Sequence, residues 1–168
     1  KKVASKANIA TGLILHYFKN KEHLINEVIN FVIKKCEEFY SPEIDFSSNN
    51  LKKEFLNFID NLFLLSINEK VSAQAYYSVY TTALKNEDLR SLFINSIYKS
   101  RKNLGFYLDF FKRKGIIDFK SEEDVINHLL VVLEGLSYYK NISIDEYFYE
   151  KSLNYHKNTF LNLVNFTK

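Results

Sequence analysis

Apolar side chains recur along this chain at spacings of three and four, the period of a helix with one buried face. From Lys21 to Phe39 that period sets Leu24, Val28, Phe31 and Val32 on one side. The segment ends at Tyr40-Ser41-Pro42, because proline disfavours helical backbone in the residue before it. Residues 43–50 are polar and loop-like. A second helix is predicted over Leu51–Ile67, striped by Leu51, Phe55, Phe58, Ile59, Leu62 and Phe63. A third follows over Glu69–Leu84 and breaks at Lys85-Asn86-Glu87-Asp88. The longest spans Leu89–Lys114, with Lys112, Arg113 and Lys114 favouring the negative helix end and Gly115 stopping it. Ser121, with Asp124 three residues on, is a capping-type start for a helix to about Asn141. A last helix is expected over Ile144–Asn165. Every periodic segment is helical, so the chain reads as all-α.

Composition agrees. Four glycines and one proline in 168 residues are few for a sheet protein, whose turns consume both. Hydrophobic residues at 46% and aromatics at 16% supply a core for one or two small domains. No apolar run approaches the roughly 20 residues of a membrane span, and no signal-type apolar segment opens the chain. No membrane partner is therefore expected. Cys36 is the single cysteine and has no internal disulfide partner, which fits a reducing, cytoplasmic setting. Methionine is absent even at position 1, so the chain reads as starting inside a longer product.

Charge is unevenly placed. Residues 1–35 carry seven lysines and two glutamates, a balance of +5; the remainder carries sixteen basic and eighteen acidic groups, a balance of −2. A basic head on a slightly acidic body suits a head that meets phosphate.

That head has the pattern of a helix-turn-helix. Val3 and Ala7 lie one turn apart and are expected to face inward, with small Ala4 where two helices cross. Asn8 sits where the chain must pass through a left-handed turn, which asparagine tolerates well. Ile9 is expected to plug the turn, and Ile14 and Phe18 to pack back on Val3 and Ala7. Thr11, Gly12, Leu15 and His16 then share the outward face of a short helix able to enter a major groove.

The run from Gly12 through His16-Tyr17-Phe18 to Lys21-Glu22-His23-Leu24 resembles the signature of the TetR family of bacterial regulators. The resemblance implies a DNA-binding domain over 1–28, lacking its first helix, and a helical ligand-binding and dimerisation domain over 29–168. It implies that Ala10, Thr11, Gly12, Leu13, Leu15, His16 and Tyr17 meet DNA, with Lys21 on the phosphate backbone. The chain departs from the family at Ala10, usually a capping Ser or Thr, and at Leu15, often Tyr. Further on, Asp88-Leu89-Arg90, Lys114-Gly115-Ile116 and Leu133-Glu134-Gly135-Leu136 resemble the C-terminal domain of the BetI subgroup. The function implied is a homodimeric repressor of a palindromic operator, released by a small-molecule effector. The rival is a helical ligand-binding or interaction module that reads no DNA, motivated by Ala10 and Leu15.

The aromatic wealth first answers to core packing, but tyrosine hydroxyls buried among phenylalanines need partners. An apolar, aromatic-lined pocket is therefore expected between the helices over 51–67, 69–84 and 89–114. Phe58, Phe63, Phe106 and Phe110 would contribute rings, with Tyr76, Tyr77 and Tyr80 as polar anchors and Asn61 or Gln74 as alternatives. No arginine falls on these stripes, so a lipophilic or aromatic effector fits and a strongly anionic one does not. For dimerisation the apolar faces of the last two helices offer Leu129, Val132, Leu133 and Leu136, then Tyr147, Leu153, Phe160, Leu161 and Val164. Mid-helix Gly135 costs roughly 1 kcal/mol relative to Ala, which close helix approach would offset.

Other chemistry finds no footing. His23 and Glu27 are spaced to share a metal but have no third ligand nearby, so a solvated pair is the reading and no metal or other cofactor is expected. Lys34 and Lys35 before Cys36 are balanced by Glu37 and Glu38 after it, which gives no niche for a reactive thiol. Lys99, Arg101 and Lys102 read as a solvated face. No nucleophile–base–orienter set or phosphate-binding glycine loop emerges, so no enzyme is expected.

Overall fold

The computed structural model describes residues 1–64, 71–142 and 145–166. These residues form eight helices and no strand: α1 (Lys2–Lys6), α2 (Thr11–Tyr17), α3 (Lys21–Phe39), α4 (Leu51–Leu64), α5 (Ala73–Ala83), α6 (Glu87–Arg113), α7 (Glu122–Asn141) and α8 (Glu146–Leu163). Local capping chemistry sets most starts. The side chains of Asn20, Ser72, Asn86, Ser121 and Asp145 each accept a bond from the backbone N–H three residues on, at 2.8–3.3 Å. Each satisfies a donor that a helix start otherwise leaves free.

Two boundaries shift accordingly. Asn86, taken as part of a break, caps α6, so that helix starts at Glu87 and not Leu89. Ser72 caps α5, so Val71 and Ser72 precede that helix, while the expected starts at Glu69 and Ile144 and the end at Ile67 lie outside the described residues. Gly115 at φ +68° ends α6 as its place after the basic turn predicts, and the Ile116 N–H returns to the Phe111 carbonyl at 3.0 Å.

The core lies where α4, α6, α7 and α8 meet. Phe55, Phe58, Ile59 and Leu62 of α4 are almost wholly buried, as are Leu104, Leu108 and Phe111 of α6, Val125 and Leu129 of α7, and Phe160 of α8. The Asp118 N–H donates to the Val164 carbonyl at 2.9 Å, and Asn165 donates its amide to the Asp118 carbonyl at 3.0 Å. These bonds tie the end of α8 to the α6–α7 connection.

Helix α3 buries Ile29, Val32, Ile33, Cys36 and Phe39; of the expected stripe Val32 is covered and Leu24 partly buried, while Val28 and Phe31 are half exposed. Two adjacent apolar stripes run along α3, and the body covers the one beginning at Ile29. The C-terminal end of α3 is fastened to α6 by Lys99 against Glu37 at 3.0 Å, Asn103 donating to Ser41 Oγ, and the Tyr107 hydroxyl donating to the Pro42 carbonyl. Lys99 and Arg101 thus have partners, Arg101 facing Glu123 at 3.7 Å.

Gly105 marks a close approach of α6 to α7. A Cβ there would lie 2.7 Å from Glu122 Oε1 and 3.5 Å from Ile126. The obstacle is the tip of an exposed, flexible side chain that can swing away. Gly105→Ala is therefore expected to raise stability by about 0.5–1 kcal/mol through helix propensity, read as a higher urea midpoint at unchanged slope.

Candidate nucleic-acid interface and ligand cavity

Two short helices form the head. Helix α1 ends at Lys6 with Ala7 as its C-cap, Asn8 takes φ +51°, and α2 begins at Thr11. Ala4 is the buried residue of α1; Val3 and Ala7, expected inside, are exposed, and Ile9 is 41% exposed. The crossing needs the smallest side chain, and none of the described residues covers Val3 or Ala7. Ile14 and Phe18 are half buried. Ala10 gives α2 no side-chain cap, as its lack of an acceptor dictates.

Ala10, Thr11, Gly12, Leu13, Leu15, His16, Tyr17 and Lys21 are all exposed. Leu15 and Tyr17 are about two-thirds exposed, unusual for apolar side chains on a packed helix. A Cβ at Gly12 would meet nothing within 4 Å, so the chain itself makes no demand for glycine there. Residues 1–21 hold five lysines and no acidic residue. Lys21 opens α3 directly behind the Asn20 cap, and His23 Nδ1 accepts from the Lys19 N–H at 3.2 Å. His23 and Glu27 approach to 3.7 Å on an open face. The described residues contain no group of three or more side chains arranged to hold a metal ion.

In the body a cavity of about 520 Å³ opens between α3, α5, α6 and α7. Its walls are Ile33, Cys36 and Tyr40 from the α3 end, Tyr76, Tyr77 and Tyr80 from α5, Phe93, Ser96, Ile97 and Ser100 from α6, and Leu130, Val131, Glu134 and Tyr138 from α7. The cause is local: Ser96 and Ser100, one turn apart, give α6 a small-residue face that its tyrosine-bearing neighbours leave unfilled. The three tyrosines of α5 lie on this wall. The other expected lining residues do not. Phe58 and Phe63 are core residues, packed near Tyr107 and Phe111 and near Phe160. Asn61 and Gln74 point to solvent. Phe106 and Phe110 hold Phe46 of the α3–α4 connection, with ring centroids 5.8 and 4.7 Å away. Helix α4 sits too deep in the core to border a cavity, and α3 and α7 take its place.

Glu134 is the wall residue that sequence reasoning missed. Its carboxylate accepts from the Tyr76 hydroxyl at 3.2 Å. It faces the cavity, where solvent reaches it, yet the surrounding protein desolvates it and raises its pKa. The Tyr76 bond opposes that rise, but burial outweighs it. Burial, with the Glu134 charge second, also raises Tyr40 and Tyr76 and pushes the Cys36 thiol up to about 12. The signal in the sequence was one carboxylate inside Leu129–Leu136, an otherwise apolar stretch.

The proposed dimer residues divide. Leu129, Leu133, Leu136, Leu153, Phe160, Leu161 and Val164 lie in the chain's own core, because α7 and α8 spend their strongest apolar stripes on each other and on the body. Facing outward are Tyr139 on α7, Ile142 just after it, and Tyr147, Phe148 and Tyr155 on α8, with Val132 and Gly135 half buried beside them. A Cβ at Gly135 would meet nothing within 4 Å, so no helix of this chain approaches it closely.

Residues 1–28 match the model for bacterial regulatory proteins of the tetR family, and residues 49–166 match a Tetracyclin repressor-like C-terminal domain. The chain belongs to the TetR family. No curated protein and no solved structure matches it. This TetR-family chain is thus a DNA-binding transcriptional regulator with a helix-turn-helix head, and the reading of a helical module without a DNA reader is set aside because the head itself matches. Members of the family are generally not enzymes. No helix among the described residues is long and apolar enough to cross a membrane.

The raised Glu134 pKa has a thermodynamic consequence. The folded chain holds this proton more tightly than the unfolded chain, so stability falls with rising pH between the ordinary value of 4.5 and the raised one. Denaturant titrations are expected to give a Glu134→Gln chain that gains stability relative to the native one across that window. A difference independent of pH would contradict a desolvated carboxylate.

Proposed function

We propose that this regulator is a cytoplasmic homodimeric repressor that a small molecule releases from a palindromic operator. The observation that carries the reading is the continuity of α3. Its first residue is Lys21, on the head, and its far end supplies Ile33, Cys36 and Tyr40 to the cavity wall region. At 19 residues it is a rod roughly 28 Å long. The domain boundary at 28/29 falls inside it, so the head and the cavity share one lever.

In this reading Thr11, Gly12, Leu13, Leu15, His16 and Tyr17 meet the major groove, Ala10 begins the reading helix and Lys21 meets phosphate. Gly12 lets the helix approach the duplex closely. An occupant of the cavity displaces α3, the two heads change separation, and they lose register with half-sites about one helical turn apart. The occupant acts only by preferring the spacing that DNA rejects. The chain is expected to bind a symmetric site with affinity that falls steeply as salt rises. Lys21→Ala is expected to weaken all sequences alike, because a phosphate contact positions without specifying. A binding selection that returned no symmetric motif would sink the reading.

For the dimer we propose an isologous contact through the outward face of α7 and α8: Val132, Gly135, Tyr139 and Ile142 with Tyr147, Phe148 and Tyr155. The support is an apolar face with an open glycine at its centre. Gly135→Leu has room within one chain, so the fold is expected to survive while the dimer weakens. Sedimentation would read this as a monomer that melts no earlier than the native chain's own subunit. A native chain monomeric at micromolar concentration would refute the contact.

A further inference from the structure

The cavity assigned to an effector contains a carboxylate without a counter-charge. Glu134 is the charged residue of the described wall; no Lys, Arg or His lines it. No ion pair among the described residues includes Glu134, and its bond from Tyr76 is to a neutral hydroxyl. Solvent reaches this carboxylate from the cavity, but the protein around it strips part of its hydration, a loss that a counter-charge would offset. The same cavity is lined by the rings of Tyr76, Tyr77, Tyr80, Tyr138 and Phe93, with Tyr76 the one bonded to Glu134. Their faces are electron-rich and attract cations, most strongly where water is excluded. A volume of about 520 Å³ lies within the range of small-molecule sites.

We propose that the cavity takes a lipophilic monocation, a protonated amine on an apolar body, with its ammonium group against Glu134 and the tyrosine rings. This deepens the effector reading and rests on it. An anionic ligand meets repulsion from Glu134. A neutral one leaves the carboxylate unpaired or forces it to take up a proton, which is the direction burial already drives it in the empty cavity. The ammonium supplies both the charge and the N–H donors that the wall lacks, while Ile33, Ile97 and Leu130 receive the apolar body.

Three probes with one apolar body test it: phenylbutylammonium, phenylbutanol and phenylbutyrate, titrated calorimetrically against the full chain at neutral pH. The ammonium is expected to bind about tenfold or more tightly than the alcohol, and the carboxylate most weakly. Glu134→Gln is expected to lower the ammonium's affinity by about tenfold while holding the alcohol within about twofold. Circular dichroism and melting establish that this variant is folded; if it is not, the order of the three probes on the native chain still decides. Alcohol binding equal to or tighter than the ammonium, or an ammonium affinity indifferent to Glu134→Gln, overturns the cation and leaves an effector cavity standing. Failure of all three to bind or to shift the melting temperature overturns the effector reading together with this one.

Discussion

One helix has to satisfy two demands. The first two turns of α3 must stay in water beside the head, with Lys21 exposed, while the rest buries Ile29, Val32, Ile33, Cys36 and Phe39 under the body. Burying such side chains stabilises by roughly 1.5–3 kcal/mol each, so the far end of the helix is held where the near end is free. Lys99 to Glu37, Asn103 to Ser41 and Tyr107 to Pro42 secure that far end to α6. In the proposed release mechanism, such a rod would convert a small shift in the body into a larger displacement of the head.

The cavity follows from what α3 packs against. Were α6 to present leucines in place of Ser96 and Ser100, the space between α3, α5 and α7 would be filled. With serines there, the tyrosines of α5 border a void, and Glu134 stands in a setting that burial makes hostile to its charge. Under the proposed release mechanism, a cavity occupant would act at the wall that α3 helps to build, which is where it has to act if it is to move the head.

The outer face of α7 and α8 shows how one helix divides its surface. Around α7, Leu129, Leu133 and Leu136 face the core, Leu130, Glu134 and Tyr138 face the cavity, and Val132, Gly135 and Tyr139 lie on the remaining side. A helix that faces the core on one side and a cavity on another has few polar positions left, which accounts for the apolar run Leu129–Leu136.

Read alone, the sequence determines what depends on neighbours along the chain. Asn20, Ser121 and Gly115 act through hydrogen bonds and backbone angles within a few residues, so the extents of α3 and α7 and the end of α6 are legible in the order of residues. The left-handed turn at Asn8 is legible for the same reason, as is the kinship of the head, which rests on a dense local signature. What the sequence leaves undetermined is which side of each helix meets which neighbour. Val28 and Ile29 are equally apolar, yet only Ile29 is covered; Phe58 and Tyr76 are both aromatic, yet one fills the core and the other borders a cavity. Leu129 and Phe160 look like docking residues until α7 and α8 are seen to use them on each other. Only the tertiary arrangement decides these cases, because burial belongs to a pair of surfaces and periodicity describes one helix at a time.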